Sequence, residues 1–287
     1  MTADILASIH NKLGTLSKGQ RRIAEYILKE YDKAAFQTAG ALGKTVQVSE
    51  STVVRFAAIL GYDGYPEMQK ALQEMVLNRL TSVQRIEVGE SRIAEGDVLT
   101  SVLQADTDRI RTTLEELNRD AFEGAVEALL NCRRIYILGV RSSSALAYFL
   151  SYYFHYMFDD VRLLTSASDS EMLEQIVRIS PSDVLIGISF PRYSSATVRA
   201  MEYGRNAGAT TIALTDCTSS PLARSAEYPL CAKSDMVSLV DSMVAPMSVI
   251  NALVVCVAKR RKQETAQTFE KLERIWDACN VYEKIDG

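Results

Sequence analysis

The spacing of apolar residues changes its period once along this chain, and that change limits the fold more than any single motif. Within the first 77 residues apolar side chains recur only at helical intervals. Ile5, Leu6, Ile9 and Leu13 share one face, and Ile23, Ala24, Ile27, Leu28 and Tyr31 repeat the three-and-four spacing of a second helix. Ser17 and Gln20 form an S-x-x-Q capping box, whose side chains satisfy N–H groups that a helix start leaves unpaired. From Tyr136 onward, short apolar runs alternate with helical stretches. The expected strands are Arg134–Leu138, Val161–Leu164, Val184–Ser189, Thr210–Leu214 and Glu227–Cys231. Helices are expected between them, near 143–158, 169–178, 195–207 and 241–262. Short strands joined by helices imply a parallel sheet covered on both faces. The expected fold class is thus α + α/β: an all-helical N-terminal domain, then a doubly wound five-stranded parallel sheet.

The same spacing divides the chain into four parts. Residues 1–77 form the helical domain, 78–121 a linker and connecting helix, 122–262 the sheet domain, and 263–287 a C-terminal helix. The connecting helix runs through Leu99, Val102, Leu103, Ile110, Leu114 and Leu117, after a polar segment at 78–98. The terminal helix carries Phe269, Leu272, Ile275, Trp276 and Cys279 on one face, a pattern that suits packing on its own domain or on a second subunit. At 287 residues the chain is long enough for about two domains and needs no disulfide staples.

Composition removes several function classes. Only two histidines occur, His10 and His155, so a multi-histidine metal site is excluded. The five cysteines are scattered, with no C-x-x-C pair, which fits free thiols in a reducing compartment. No metal or cofactor is expected. The longest apolar run, Val244 to Ala258, is interrupted by Pro246, Ser248 and Asn251 and is too short to span a membrane. The N-terminus lacks the basic and apolar blocks of an export signal. A cytoplasmic protein without membrane contact is expected.

Within the helical domain, a short segment from Thr38 to Thr45 leads into the turn Val46-Gln47-Val48. Ser49 is expected to cap the next helix, which turns Val53, Phe56, Ala57 and Leu60 inward and ends at Gly61. A helix, a tight turn and a second helix with a polar start is the layout of a helix-turn-helix, whose second helix enters the major groove. The DNA-contacting set is Lys44, Ser49, Glu50, Ser51, Thr52 and Arg55. Arg55 can pair with guanine or phosphate, Glu50 can accept from a cytosine amino group, and the hydroxyls can hold phosphate oxygens. A well-capped surface helix would show the same pattern. Charge does not decide between them, since residues 1–77 hold nine basic side chains against eight acidic ones. So small an excess implies that tight binding needs two copies on DNA.

The string V48-S-E-S-T-V-V-R-F56 followed by L60-G-Y-D-G-Y65 resembles the N-terminal domain of RpiR/MurR-type bacterial transcriptional regulators. Gln47 departs from that pattern, standing where the family usually has glycine in the turn. A left-handed backbone there suits glutamine less well than glycine. Gly40 and Gly43 also weaken the helix before the turn.

In an open parallel sheet, ligands gather beyond the carboxyl ends of strands, where strand order reverses. Two such ends are rich in hydroxyls and open directly into helices: G139-V-R-S-S-S-A145 and S189-F-P-R-Y-S-S-A-T197. Hydroxyls and free N–H groups at two helix starts suit an anion such as phosphate. Arrangement and sequence over about 122–262 resemble the sugar isomerase (SIS) domain that follows the DNA-binding domain in RpiR-type regulators. The resemblance implies phosphosugar binding, with Gly139 and Ser143 matching the first loop and Ser189, Ser194 and Thr197 the second. The effector-binding set is Gly139, Arg141, Ser142, Ser143, Ser144, Ser189, Arg192, Ser194 and Thr197. Arg141 stands where the family's first loop usually has its second glycine, and Pro191-Arg192 replaces the serine-glycine of the second. Their guanidinium groups either hold an anionic group of the effector or pair with carboxylates such as Asp169 and Glu171.

Enzymatic readings fare worse. G187-I-S-F-P191 lacks the last glycine of a nucleophile elbow, and no histidine follows His155 to complete a hydrolase triad. Gly139 alone makes no dinucleotide fingerprint. Isomerisation needs a placed base, yet Glu171 and Glu174 lie on a helix, and His155 sits in an aromatic run that marks a packed or interfacial residue. No catalytic residue is assigned. The expected function is a DNA-binding regulator, a homodimer or homotetramer on a palindromic operator, controlled by a phosphorylated sugar or related anion. An active sugar-phosphate isomerase and a protein-interaction adaptor are the alternatives.

Overall fold

A computed structural model describes residues 5–79, 97–165, 168–236 and 240–283. The chain divides into two compact units, Met1–Val88 and Gly89–Gly287.

The described part of the first unit is helical: α1 (Ile5–Lys12), α2 (Lys18–Lys29), α3 (Tyr31–Ala34), α4 (Ala39–Thr45), α5 (Glu50–Leu60) and α6 (Tyr65–Arg79). The expected capping box opens α2, with the Ser17 N–H donating to Gln20 Oε1 at 3.0 Å. Ile9, Ile23, Ile27, Leu42, Val53, Phe56, Met68 and Leu72 meet in one core. Each helix contributes a single apolar stripe, so no helix in this unit is stable apart from the others.

The second unit begins its described part with α7 (Val98–Glu116) and α8 (Arg119–Asn131). Alternation follows: β1 (Arg134–Gly139), α9 (Ser143–Phe154), β2 (Val161–Leu164), α10 (Asp169–Gln175), β3 (Asp183–Ile188), α11 (Ser195–Asn206) and β4 (Thr210–Thr215). It closes with α12 (Pro221–Arg224), β5 (Tyr228–Cys231), α13 (Val244–Arg260) and α14 (Lys262–Cys279). All strand pairs are parallel, in the order β2-β1-β3-β4-β5. Alternation along β1 sends Ile135 and Ile137 into one core with α8, α9 and α13. Tyr136 and Leu138 enter the opposite core with α10 and α11.

The strands fall within one residue of expectation, whereas the helices stop sooner. The helix expected to 158 ends at Phe154, and the one expected to 178 ends at Gln175. The expected polar segment lies mostly at 80–96, outside the described residues. The terminal helix forms, but none of its residues is buried; Phe269, Leu272 and Trp276 are half-covered, and Ile275 and Cys279 are exposed. His155 is exposed rather than packed, and its Nδ1–H donates to the Ser151 carbonyl at 2.7 Å. All five cysteines are free thiols.

Candidate functional site

In the first unit, α4 and α5 are joined by the turn 46–49. The turn closes when the Val48 N–H donates to the Gly43 carbonyl at 2.8 Å. Gln47 takes φ 54°, the left-handed region that the family's glycine would occupy without strain. Its carbonyl accepts from Arg22 Nη2 at 2.9 Å, which ties the turn to α2. Gly43 has a role that helix propensity alone misses. A Cβ there would stand 2.9 Å from the Val48 carbonyl oxygen, so α4 and the turn approach this closely only over a glycine.

Helix α5 buries Val53, Phe56, Ala57 and Leu60 and ends at Gly61, whose φ of 98° is left-handed. Burying that face leaves Ser49, Glu50, Ser51 and Arg55 exposed and Thr52 half-exposed, with Lys44 exposed at the end of α4. Ser49 occupies the N-cap position, but its side chain does not cap a backbone N–H as expected. Its hydroxyl pairs instead with those of Ser51 and Thr52, at 2.9 and 2.8 Å. The Thr52 N–H donates to the Ser49 carbonyl at 2.9 Å, so the capacity for an outside acceptor rests with the N–H groups of Glu50 and Ser51. The Arg55 guanidinium folds back on its own helix, donating to the Ser51 carbonyl at 3.2 Å. The Glu50 carboxylate lies over Gly40, 3.3 Å from where a Cβ on that glycine would be.

In the second unit, strand order reverses between β1 and β3, because β2 lies outside β1 and the chain then crosses to the other side. The two hydroxyl-rich loops leave these neighbouring strands, and Gly139 and Ile188 are register partners at their ends. Gly139 allows α9 to begin immediately: a Cβ there would be 2.6 Å from the Ser143 carbonyl oxygen. Arg141 follows with φ 56°, and its carbonyl accepts from both Ser144 N–H and Ser144 Oγ, at 3.0 and 2.6 Å. Ser143 is buried, while Arg141, Ser142 and Ser144 are exposed.

The second loop is bolted from within. Ser189 Oγ accepts from the Ser194 N–H at 3.1 Å, and Ser194 Oγ accepts from the Thr197 N–H at 3.3 Å. Between these anchors Arg192 takes φ 64°. Both arginines thus keep the backbone conformation that glycine would have, at a cost of about 1 kcal/mol each. Thr197 is fully buried, and its Oγ1 has no hydrogen-bond partner among the described residues. Three residues here, Tyr193, Thr215 and Asp216, lie outside the expected effector-binding set. Tyr193 donates its hydroxyl to Asp216 Oδ1 at 2.8 Å, and Thr215 Oγ1 donates to the same oxygen at 3.1 Å. Burial, then the neighbouring Asp216 charge, raises the Tyr193 pKa well above the usual phenol range, so its hydroxyl stays a donor. The sequence signal for Asp216 is a carboxylate placed directly after a strand, at the carboxyl edge where open parallel sheets generally take ligands.

Among the described residues, no group of histidine, cysteine and carboxylate side chains is arranged to hold a metal ion, and no helix is long and apolar enough to cross a membrane.

Two family models match separate parts of the chain: the helix-turn-helix domain of the rpiR family over residues 3–79 and the SIS domain over 128–256. The HTH-type transcriptional regulator HexR of Escherichia coli is 28% identical over 285 residues, spanning 96% of this chain and 94% of that protein. The sugar isomerase domain of an RpiR transcription factor from Sphaerobacter thermophilus is 29% identical, with a TM-score of 0.60, over 62% of this chain and 99% of that one. The Vibrio vulnificus NanR protein complexed with ManNAc-6P shares the fold over 94% of this chain and 98% of its own, with a TM-score of 0.58 at 21% identity. An exposed polar helix start in the first unit and an SIS sheet in the second stand together in one chain, which belongs to the RpiR family of helix-turn-helix transcriptional regulators.

Proposed function

We propose that this regulator binds a palindromic operator in the cytoplasm and that a phosphorylated sugar or related anion controls the binding. Residues 1–77 read the DNA, 78–121 connect, 122–262 hold the effector and 263–287 support assembly. Lys44, Ser49, Glu50, Ser51, Thr52 and Arg55 meet the major groove and its phosphates. Gly139, Arg141, Ser142, Ser143, Ser144, Ser189, Arg192, Ser194 and Thr197 surround the effector, with Arg141 and Arg192 supplying positive charge.

The observation that carries this reading is the placement of both hydroxyl-rich loops at the point where strand order reverses. The orphaned, fully buried Thr197 hydroxyl gives it independent support, since buried polar atoms rarely go unpartnered.

An isologous dimer or a tetramer built from it is supported by α7. Leu99, Leu103, Ile110 and Leu114 form an exposed stripe, with Leu99 70% and Leu114 63% accessible. Leu99 and Leu114, like Leu103 and Ile110, are equally far from the middle of the stripe, which lies between Asp106 and Thr107. An antiparallel copy of the same stripe therefore matches it residue for residue. Two recognition helices in one particle call for half-sites separated by about 10 bp or a multiple of it.

The test is selection of bound fragments from random DNA by purified protein at near-physiological salt, with and without candidate phosphosugars. A recovered palindrome, lost steeply with added salt and weakened by Arg55→Ala, is expected. No enrichment would favour the adaptor, and turnover of a phosphosugar would favour the isomerase.

A further inference from the structure

Helix α7 is seated in an unusual way. It runs for 19 residues, yet Thr113 is its only buried residue. Beside its packing along α13, through half-buried Val102 and Ala105, it is held to the body of the domain by polar contacts. The Lys233 N–H donates to Thr113 Oγ1 at 2.9 Å, and the Lys233 ammonium pairs with Glu116 at 2.5 Å. Two turns back, Ser242 Oγ donates to Asp106 Oδ1 at 2.6 Å, and Asp106 pairs with Arg109 at 3.2 Å. Hydrogen bonds of this kind depend on direction and on angles, so a small movement of residues 232–233 is felt by α7 in a way that apolar packing would absorb.

Residues 232–233 are themselves fastened to the second anion loop. The Ala232 N–H donates to the Thr215 carbonyl at 2.8 Å. Thr215 and Tyr193 both donate to Asp216 Oδ1. Tyr193 lies between Arg192, with its left-handed backbone, and Ser194, which is held by Ser189. An unbroken path thus runs from Arg192 through Tyr193, Asp216, Thr215, Ala232 and Lys233 to Thr113. It brings together residues that the sequence separates by 23 positions at one step and 120 at another.

We propose that Tyr193 and Asp216 are positioning residues that couple the conformation of loop 189–194 to the seating of α7. Their bond holds the loop in the shape that requires a left-handed Arg192, and the same carboxylate fixes the end of β4, from which residues 232–233 hang. A change at the loop alters the acceptor at Asp216, and α7 is the next element in line. The biological purpose rests on the effector reading above, with the anion at the loop as input and α7 as output. The coupling itself is a property of the protein without effector or DNA.

The test is hydrogen–deuterium exchange on the full-length protein, followed peptide by peptide. Tyr193→Phe is expected to speed exchange about three- to tenfold at 189–198 and, at a distance, at 107–116, while β1 and α5 keep wild-type protection. Asp216→Asn retains an oxygen that can accept from Tyr193, so protection of 107–116 is expected to stay near wild type. Thr113→Val, made at the far end, is expected to speed exchange at 189–198, because coupling is reciprocal. The proposal is overturned if Tyr193→Phe and Thr113→Val each act only at their own end. It is equally overturned if both loosen β1 to the same degree, since the bonds would then hold the whole domain rather than link two parts. Failure of the functional reading would appear separately, as an absence of operator selection with these couplings intact.

Discussion

Gly43 and Val48 face each other across the helix-turn-helix with no room for a side-chain carbon between them: a Cβ on Gly43 would be 2.9 Å from the Val48 carbonyl oxygen. Gly43→Ala would gain about 1 kcal/mol of helix propensity but would force α4 away from the turn. A net loss of about 1–2 kcal/mol is expected, because the opposing atom belongs to the backbone and cannot rotate away. Thermal unfolding measures the loss, and operator affinity should fall as α5 is displaced.

Gln47 has the opposite problem. Its φ of 54° is strained for glutamine, and its backbone carbonyl rather than its side chain receives Arg22. Gln47→Gly should relieve the strain and keep that hydrogen bond. A gain of up to about 1 kcal/mol, less the greater chain entropy of glycine in the unfolded state, is expected from chemical denaturation.

Arg141 and Arg192 separate strain from function. Replacing either by glycine keeps the left-handed loop, so stability should change by less than about 1 kcal/mol. Under the effector reading, affinity for a phosphosugar should fall about tenfold or more as a charge-assisted contact is lost. Calorimetric titration of the two variants checks this. Unchanged affinity would mean that both guanidinium groups serve neighbouring carboxylates instead.

Asp183 provides a pH test in the sheet domain. Burial alone would raise its pKa, but hydrogen bonds from Arg133, at 2.9 Å, and from Ser180 outweigh burial and lower it. A carboxyl group held below its unfolded value contributes stability above that value, and this is lost as pH falls through the folded value. Stability of the wild type should therefore decline on acidification below about pH 4. Asp183→Asn should flatten that decline and cost about 2 kcal/mol at neutral pH. Denaturation midpoints across pH 2.5–7 would show both effects.

The stripe on α7 makes a prediction about assembly. Leu103→Glu with Ile110→Glu places charge on exposed positions, so the fold should be retained to within about 0.5 kcal/mol. Self-association should weaken, and sedimentation should shift toward the smaller species. If the particle kept its mass, the stripe would not be the interface.

Helical period carries much of the first unit. Val53, Phe56, Ala57 and Leu60 fall on one side of α5, so the exposure of Ser49, Glu50, Ser51 and Arg55 followed from helical period alone. The three inner strands could be found because each is a short run buried on both faces, and the edge strand β2, with Arg162 exposed, agrees to the residue. The helix ends were harder. Near Phe154 and Gln175 the apolar pattern continues past the last helical turn, and spacing does not register where the backbone turns away. The hydroxyl of Ser49 chose side-chain partners over a backbone N–H, a competition between bonds of similar strength that sequence does not rank.

What the sequence by itself determined is whatever neighbours along the chain decide: helical and strand period, the capping box at Ser17, the stop at Gly61, and the two loops rich in hydroxyls. Tertiary structure alone decided which distant groups meet. Gly43 against Val48, Tyr193 against Asp216, and Thr113 against Lys233 each depend on how the helices and the order β2-β1-β3-β4-β5 close in space. Even the stripe of α7 follows this division. Its period is written in the chain, but whether it faces its own core or the outside depends on which face the rest of the domain leaves uncovered, and here the leucine stripe is the face left exposed. Local conformation is set by bonds a few residues long, whereas the site is made by contacts whose partners are brought together only when the whole sheet has formed.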